Sequence, residues 1–141
     1  MRQHDLYDYR GKPVLLEFMK TACPACQTLS VELENVRSKY SDKIAVIAVV
    51  NPPDNFNTVG FYINEHKITA PILFDMGQVA ISYFKATPDN PRIHLPHLFL
   101  IDSDGTIKND WGDNEAVDAA KDGTLAASID ALIERRAPAK K

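Results

Sequence analysis

Val14-Leu15-Leu16-Glu17-Phe18-Met19-Lys20-Thr21-Ala22-Cys23-Pro24-Ala25-Cys26 is the stretch that decides the fold. Its first six residues are apolar except for Glu17. Such a run suits a parallel strand covered on both faces. The Arg10-Gly11-Lys12-Pro13 turn precedes it. Downstream, Leu29, Leu33, Val36 and Tyr40 recur at spacings of 4, 3 and 4. That is one face of an amphipathic helix running from Pro24 to Tyr40. Residues 44–50 (Ile-Ala-Val-Ile-Ala-Val-Val) are a second apolar strand. Strand, helix and strand of this kind make a βαβ unit.

Further along, Asn51-Pro52-Pro53-Asp54-Asn55 breaks the chain. Residues 58–67 are predicted helical, with Gly60 weakening the helix. Residues 71–75 read as a short strand, 77–84 as a short helix and 87–91 as a Pro/Asp/Asn loop. Runs at 97–101 and 106–111, joined by Asp102-Ser103-Asp104-Gly105, read as an antiparallel hairpin. Leu125, Ile129, Leu132 and Ile133 mark a last helix before Pro138. The expected architecture is α/β: a central mixed sheet flanked by helices on both faces, with a βα element inserted between the βαβ unit and the C-terminal hairpin.

Composition narrows the class. A length of 141 residues makes one domain the default, spanning 1–141, with 137–141 a frayed basic tail. Such a chain buries roughly two-thirds of its unfolded surface. Two cysteines are too few for a disulfide-scaffolded miniprotein. Sixteen basic against nineteen acidic residues leave a net charge of −3, which carries no nucleic-acid footprint. The longest apolar run, 44–50, is far short of the roughly twenty residues a membrane span needs. Met1-Arg2-Gln3-His4-Asp5 enters Leu6-Tyr7 without an apolar signal core. A leader or tether removed from a longer precursor would leave no trace in this stretch.

Cys23 and Cys26 stand between strand and helix. A helix N-terminus stabilises a thiolate through its unpaired N–H groups and its dipole. Cys23 falls at the N-cap, and Pro24 at the first helical position, where a missing N–H costs nothing. Cys26 lies three residues before Leu29 and joins the buried stripe. One sulfur at the exposed tip and one beneath it suits attack by Cys23 and resolution by Cys26 through a mixed disulfide. Two other readings stand beside this one. A zinc or copper site would combine Cys23 and Cys26 with His97 or His94, although 67 residues separate Cys26 from His94, against about 12–15 in a finger-type site. A purely structural disulfide would close a loop too short to stabilise the chain much.

Tyr9-Arg10-Gly11-Lys12-Pro13-Val14-Leu15-Leu16-Glu17-Phe18 followed by Cys23-Pro24-Ala25-Cys26 resembles thioredoxin-fold proteins of the TlpA/ResA type. The segments Pro71-Ile72-Leu73-Phe74-Asp75 and Leu95-Pro96-His97-Leu98-Phe99-Leu100-Ile101-Asp102-Ser103-Asp104-Gly105 are similar to two further parts of that family. The resemblance implies a thiol–disulfide oxidoreductase acting on protein cysteines. It would need no cofactor beyond a redox-active Cys23–Cys26 disulfide, and electrons would come from an upstream thiol protein. It further implies a protein that is commonly extracytoplasmic and often membrane-tethered; the expected oligomeric state is a monomer. There are departures. Phe18-Met19 and Ala22-Cys23 stand where the family carries Phe-Trp and Trp-Cys, so the rim is less aromatic. Proline comes first, not second, between the cysteines. The family's N-terminal hairpin is curtailed, as in a trimmed or processed fragment.

The same resemblance assigns two further roles. Glu17 would take the proton of Cys26 as a general base of raised pKa; read from the residues alone, it equally escapes to solvent at a sheet edge or pairs with Lys20. Pro96 would be a cis-proline facing the cysteines, exposing the backbone of Leu95 to an extended substrate peptide; the plainer reading is a trans-proline opening an edge strand. Peroxiredoxins share the fold, but their nucleophile has Thr or Ser three residues upstream, and here Lys20 stands before Cys23.

Overall fold

The structure is a computed structural model describing residues 9, 11–76, 79, 82–83 and 94–136, the side chains of 135 and 136 excepted. Five strands, β1 (Val14–Met19), β2 (Ala45–Val50), β3 (Ile72–Phe74), β4 (His97–Ile101) and β5 (Ile107–Gly112), form one sheet. Its order is β3-β2-β1-β4-β5. β1 is therefore central, and all six of its residues are buried, as the apolar run requires. It pairs parallel with β2 and antiparallel with β4, so the sheet is mixed.

The α-helices whose bounds lie among the described residues are, in chain order, α1 (Pro24–Tyr40), α2 (Phe56–His66), α3 (Asn114–Asp122) and α4 (Thr124–Arg136). Alternate residues of a strand face opposite sides, and β1 divides accordingly. Leu15 joins a core with Leu29 and Leu33 of α1, Ala116 and Ala119 of α3, and Leu125 and Ile129 of α4. Val14, Leu16 and Phe18 face the other way, with Ile47, Val49 and Phe99. On that side residues 82 and 83 are helical, and the Tyr83 ring meets Phe18 at 5.5 Å and Phe99 at 5.1 Å. Helices thus cover both faces.

The structure departs from the sequence reading in two places. α2 begins at Phe56, two residues early, because Asn55 caps it. Its Oδ1 accepts the N–H groups of Asn57 and Thr58, while its own N–H donates to Thr58 Oγ1. And the hairpin is followed by two helices, not one. Gly123, at φ +92°, ends α3 and lets α4 start afresh. α3 escaped notice because its buried stripe is alanine, too weakly apolar to mark a period. The helix expected at 77–84 and the loop at 87–91 lie largely or wholly outside the described residues, as does the tail at 137–141. No helix among those described is long and apolar enough to cross a membrane.

Candidate dithiol site

β1 runs up the middle of the sheet and releases the chain into a turn at Lys20. The Cys23 N–H donates to the Lys20 carbonyl at 3.3 Å, closing that turn. Cys23 is the N-cap of α1 with extended backbone (φ −95°, ψ 115°), and Pro24 occupies the first turn. The Cys23 Sγ accepts the Cys26 N–H at 3.1 Å. A sulfur thus stands where a serine or aspartate oxygen usually caps a helix. The dipole favours negative charge there.

Both thiols are free in this structure, and both are buried: Cys23 is 8% exposed and Cys26 not at all. The exposed tip expected for Cys23 is thus corrected: it is nearly closed off, because it packs into a buried cluster with Met19 and Val59. Burial pushes the Cys26 thiol strongly up, and its hydrogen bond to Cys23 pushes the same way, as do the charges of Cys23 and Glu17; a backbone hydrogen bond at Lys20 acts against them. Left alone, Cys26 holds its proton.

Glu17 lies in β1 between Ala48 of β2 and Leu98 of β4, and is 1% exposed. It is neither at a sheet edge nor paired with Lys20. Its Oε1 accepts the Ser30 hydroxyl at 2.8 Å. Burial raises its carboxyl from 4.5 to about 8, against the Ser30 hydrogen bond, which lowers it. A crevice of about 10 Å³ borders Glu17, Ser30 and Glu34, room for a single water at most.

Two side chains that the sequence reading passed over complete this interior. Ser30 follows Cys26 by four residues on α1 and so shares its row. Tyr62, on α2, donates its hydroxyl to Ser30 Oγ at 2.7 Å and lies 3.2 Å from the Cys26 carbonyl. A polar residue four places beyond a buried cysteine, inside an apolar stripe, was a readable signal. Tyr62 gave none, since its partner is 32 residues away.

The Leu95–Pro96 peptide is cis. Leu95 is half-buried and packs against the cluster that holds both cysteines. Its backbone makes no hydrogen bond among the described residues. The Pro96 carbonyl accepts the Asp113 N–H at 2.8 Å. The histidines go elsewhere. His97 Nε2 is 2.7 Å from Asp110 Oδ2 with its ring on Phe99, and exposed His94 stands 4.0 Å from Asp113. Among the described residues no group of three or more His, Cys, Asp or Glu side chains is placed to hold a metal ion. The set Cys23, Cys26 and His97 is thus not assembled, because His97 is turned to β5.

Residues 1–110 match the family model described as AhpC/TSA. Among curated proteins, the thiol-disulfide oxidoreductase ResA of Bacillus anthracis is 29% identical over 103 residues, covering 73% of this chain and 56% of its own. The thioredoxin-like protein YneN of Bacillus subtilis is 28% identical over 106 residues, covering 74% and 58%. The chain thus spans somewhat more than half the length of these relatives. A secreted Mycobacterium tuberculosis disulfide oxidoreductase homologous to Escherichia coli DsbE superposes with a TM-score of 0.73 at 18% identity, covering 92% of this chain and 88% of the other. A thiol:disulfide interchange protein from Chlorobium tepidum superposes at 0.72 and 16%, covering 90% and 83%. At such identities the likeness shows the fold, which is thioredoxin-like.

Proposed function

The chain belongs to the AhpC/TSA family of thioredoxin-like proteins, and from that membership together with the dithiol geometry we propose that it is a thiol–disulfide oxidoreductase acting on protein cysteines. The observation that carries the reading is the Cys23 Sγ at the helix cap, accepting the Cys26 N–H, with the Cys26 sulfur sealed beneath it.

In the reducing direction, the Cys23 thiolate attacks one sulfur of a substrate disulfide. The substrate S–S bond breaks, its far sulfur leaves as a thiolate, and a mixed disulfide joins Cys23 to the substrate. Ionised Glu17 then takes the proton of Cys26. The Cys26 thiolate attacks the Cys23 sulfur, the substrate departs as its second thiolate, and the Cys23–Cys26 disulfide forms. Two electrons have passed to the substrate, and another thiol protein returns them. Oxidation of a dithiol substrate runs the same steps backwards. No cofactor enters. Leu95, with a free backbone edge beside the cysteines and next to Pro96, is the place for an extended substrate segment to pair. The names of the relatives, one of them a secreted oxidoreductase, support a place outside the cytoplasm. The dithiol chemistry is placed in a single thioredoxin-like domain.

The test is to trap the intermediate. Cys26→Ser, mixed with a disulfide-bearing protein, is expected to accumulate a covalent adduct on Cys23, visible by mass on a non-reducing gel. Cys23→Ser is expected to form none. An adduct on Cys26 in preference to Cys23 would reverse the roles and end the proposal.

A further inference from the structure

As the proposed base for Cys26, Glu17 is ionised inside the protein for part of the cycle, yet its strand neighbours Ala48 and Leu98 offer no side-chain donor. An unpaired buried carboxylate is costly. What reaches it is a line of two hydroxyls. Ser30 donates to Glu17 Oε1 at 2.8 Å, and Tyr62 donates to Ser30 Oγ at 2.7 Å. All three side chains are at least 95% buried. The Tyr62 hydrogen has a second acceptor, the Cys26 carbonyl at 3.2 Å. With Glu17 ionised, both hydroxyls point the same way, toward the carboxylate, and each strengthens the next. With Glu17 protonated, the Ser30 hydroxyl is no longer needed as a donor to charge, and Tyr62 is free to turn to the Cys26 carbonyl.

We propose that Ser30 and Tyr62 are positioning residues for the resolving step: a two-hydroxyl line, one member on each of two helices, that sets the proton affinity of Glu17. This rests on the proposed role of Glu17 as the base for Cys26. The two hydroxyls transfer no electrons and form no bond to substrate. They stabilise the ionised form of Glu17, so that it ionises at a lower pH than an apolar pocket alone would permit. The charge of Glu17 acts on Cys26 of α1 and on Tyr62, and Tyr62 also meets those of Cys26 and of the N-cap Cys23; Glu34 of α1 borders the crevice. The line also gives α2, inserted between β2 and β3, a function at the site: it carries the outer hydroxyl.

The experiment follows Glu17 by its carboxyl infrared band, identified as the band lost in Glu17→Gln, across a pH titration of the reduced protein. Ser30→Ala is expected to move the ionisation midpoint upward by about one pH unit, and Tyr62→Phe upward by about half as much. With Cys26 intact, resolution of the transient mixed disulfide, followed by rapid mixing, is expected to slow about tenfold in Ser30→Ala below the midpoint and to recover above it. A merely structural role would slow it at every pH. In a Glu17→Gln background, Tyr62→Phe is expected to leave the pH profile where it was. Tyr62→Phe keeps the ring, so it answers the question even if Ser30→Ala fails to fold. An unmoved midpoint in both hydroxyl variants overturns the inference while leaving Cys23 and Cys26 in their roles. If instead Glu17→Gln resolves as fast as the parent, the base role of Glu17 falls, and the inference with it.

Discussion

Thr21 and Asp54 are thirty-three residues apart in sequence and meet in two hydrogen bonds directly ahead of the cysteine pair. The Thr21 N–H donates to Asp54 Oδ2 at 3.0 Å, and the Thr21 hydroxyl donates to Oδ1. Thr58, in the first turn of α2, donates to the same Oδ1 at 2.9 Å. The loop after β2 thus clamps the turn that presents Cys23, and Gln27 adds a bond to the Thr21 carbonyl at 3.0 Å.

Asp54→Ala removes the acceptor and leaves the part-buried Thr21 N–H without a partner. The expected cost is about 1–2 kcal/mol of stability, read from the urea midpoint. Because Cys23 is nearly closed off, the looser turn is also expected to speed its alkylation. Asp54→Asn retains one acceptor oxygen and is expected to fall between. Alkylation unchanged in Asp54→Ala would show that the clamp does not govern access to the sulfur.

Glu17 makes stability depend on pH with a definite sign. Its folded pKa, about 8, lies above its ordinary 4.5, so the folded state binds the extra proton between those values. Stability is complete below about 4.5 and is lost as pH rises toward 8, on the order of 5 kcal/mol in all. Urea midpoints at pH 5 and pH 8 are expected to fall markedly in the parent. Glu17→Gln is expected to show only the slope due to other groups, which both proteins share. Equal slopes in the two proteins would contradict the burial argument.

The part of this fold that sequence displayed is the part built on local periodicity. β1 and α1 carry their signals within themselves: an unbroken apolar run, and a 4-3-4 stripe ended at Tyr40. Cys23 and Pro24 at a helix start are equally local. Glu17 was visible as a charge in an apolar strand, but its surroundings were not. Centrality of β1 is a property of strand order, and strand order is set by residues far apart. The same holds for Tyr62, whose apolar neighbours hide a hydroxyl aimed inward. α3 failed for the opposite reason, since its packing is real but its buried side chains are alanines. The histidines looked like ligand candidates because they flank Pro96 in sequence; in space the β5 carboxylate Asp110 takes His97.

Tyr40 closes α1 against the C-terminal helix across ninety residues. Its hydroxyl donates to Asp130 Oδ1 at 2.8 Å and lies 3.2 Å from the Ala126 carbonyl. Burial, then the hydrogen bond to Asp130 and its charge, push the phenol up to about 12. Tyr40→Phe is expected to cost about 1–2 kcal/mol at pH 7, as for a hydrogen bond to a charged acceptor. A raised phenol contributes stability that is present below its ordinary value of 10 and lost as pH climbs toward 12. The penalty of the variant is therefore expected to shrink above pH 10, measured by denaturation at pH 7 and pH 10.5.

Two glycines with equally empty surroundings are expected to respond to alanine in opposite directions. At Gly60 and at Gly123 an added Cβ meets nothing within 4 Å. Space therefore decides neither case, and the backbone decides both. Gly60 lies inside α2, where glycine is about 1 kcal/mol worse than alanine, so Gly60→Ala is expected to raise the urea midpoint. Gly123 sits at φ +92°, between α3 and α4. An L side chain is strained there, and Gly123→Ala is expected to lower stability by about 1 kcal/mol. The effect should be largest on the α3–α4 pair, whose amides are expected to exchange faster with solvent while those of β1 and β2 hold. A Gly123→Ala protein as stable as its parent would mean that α3 and α4 join without the left-handed residue, and that the break between them has another cause.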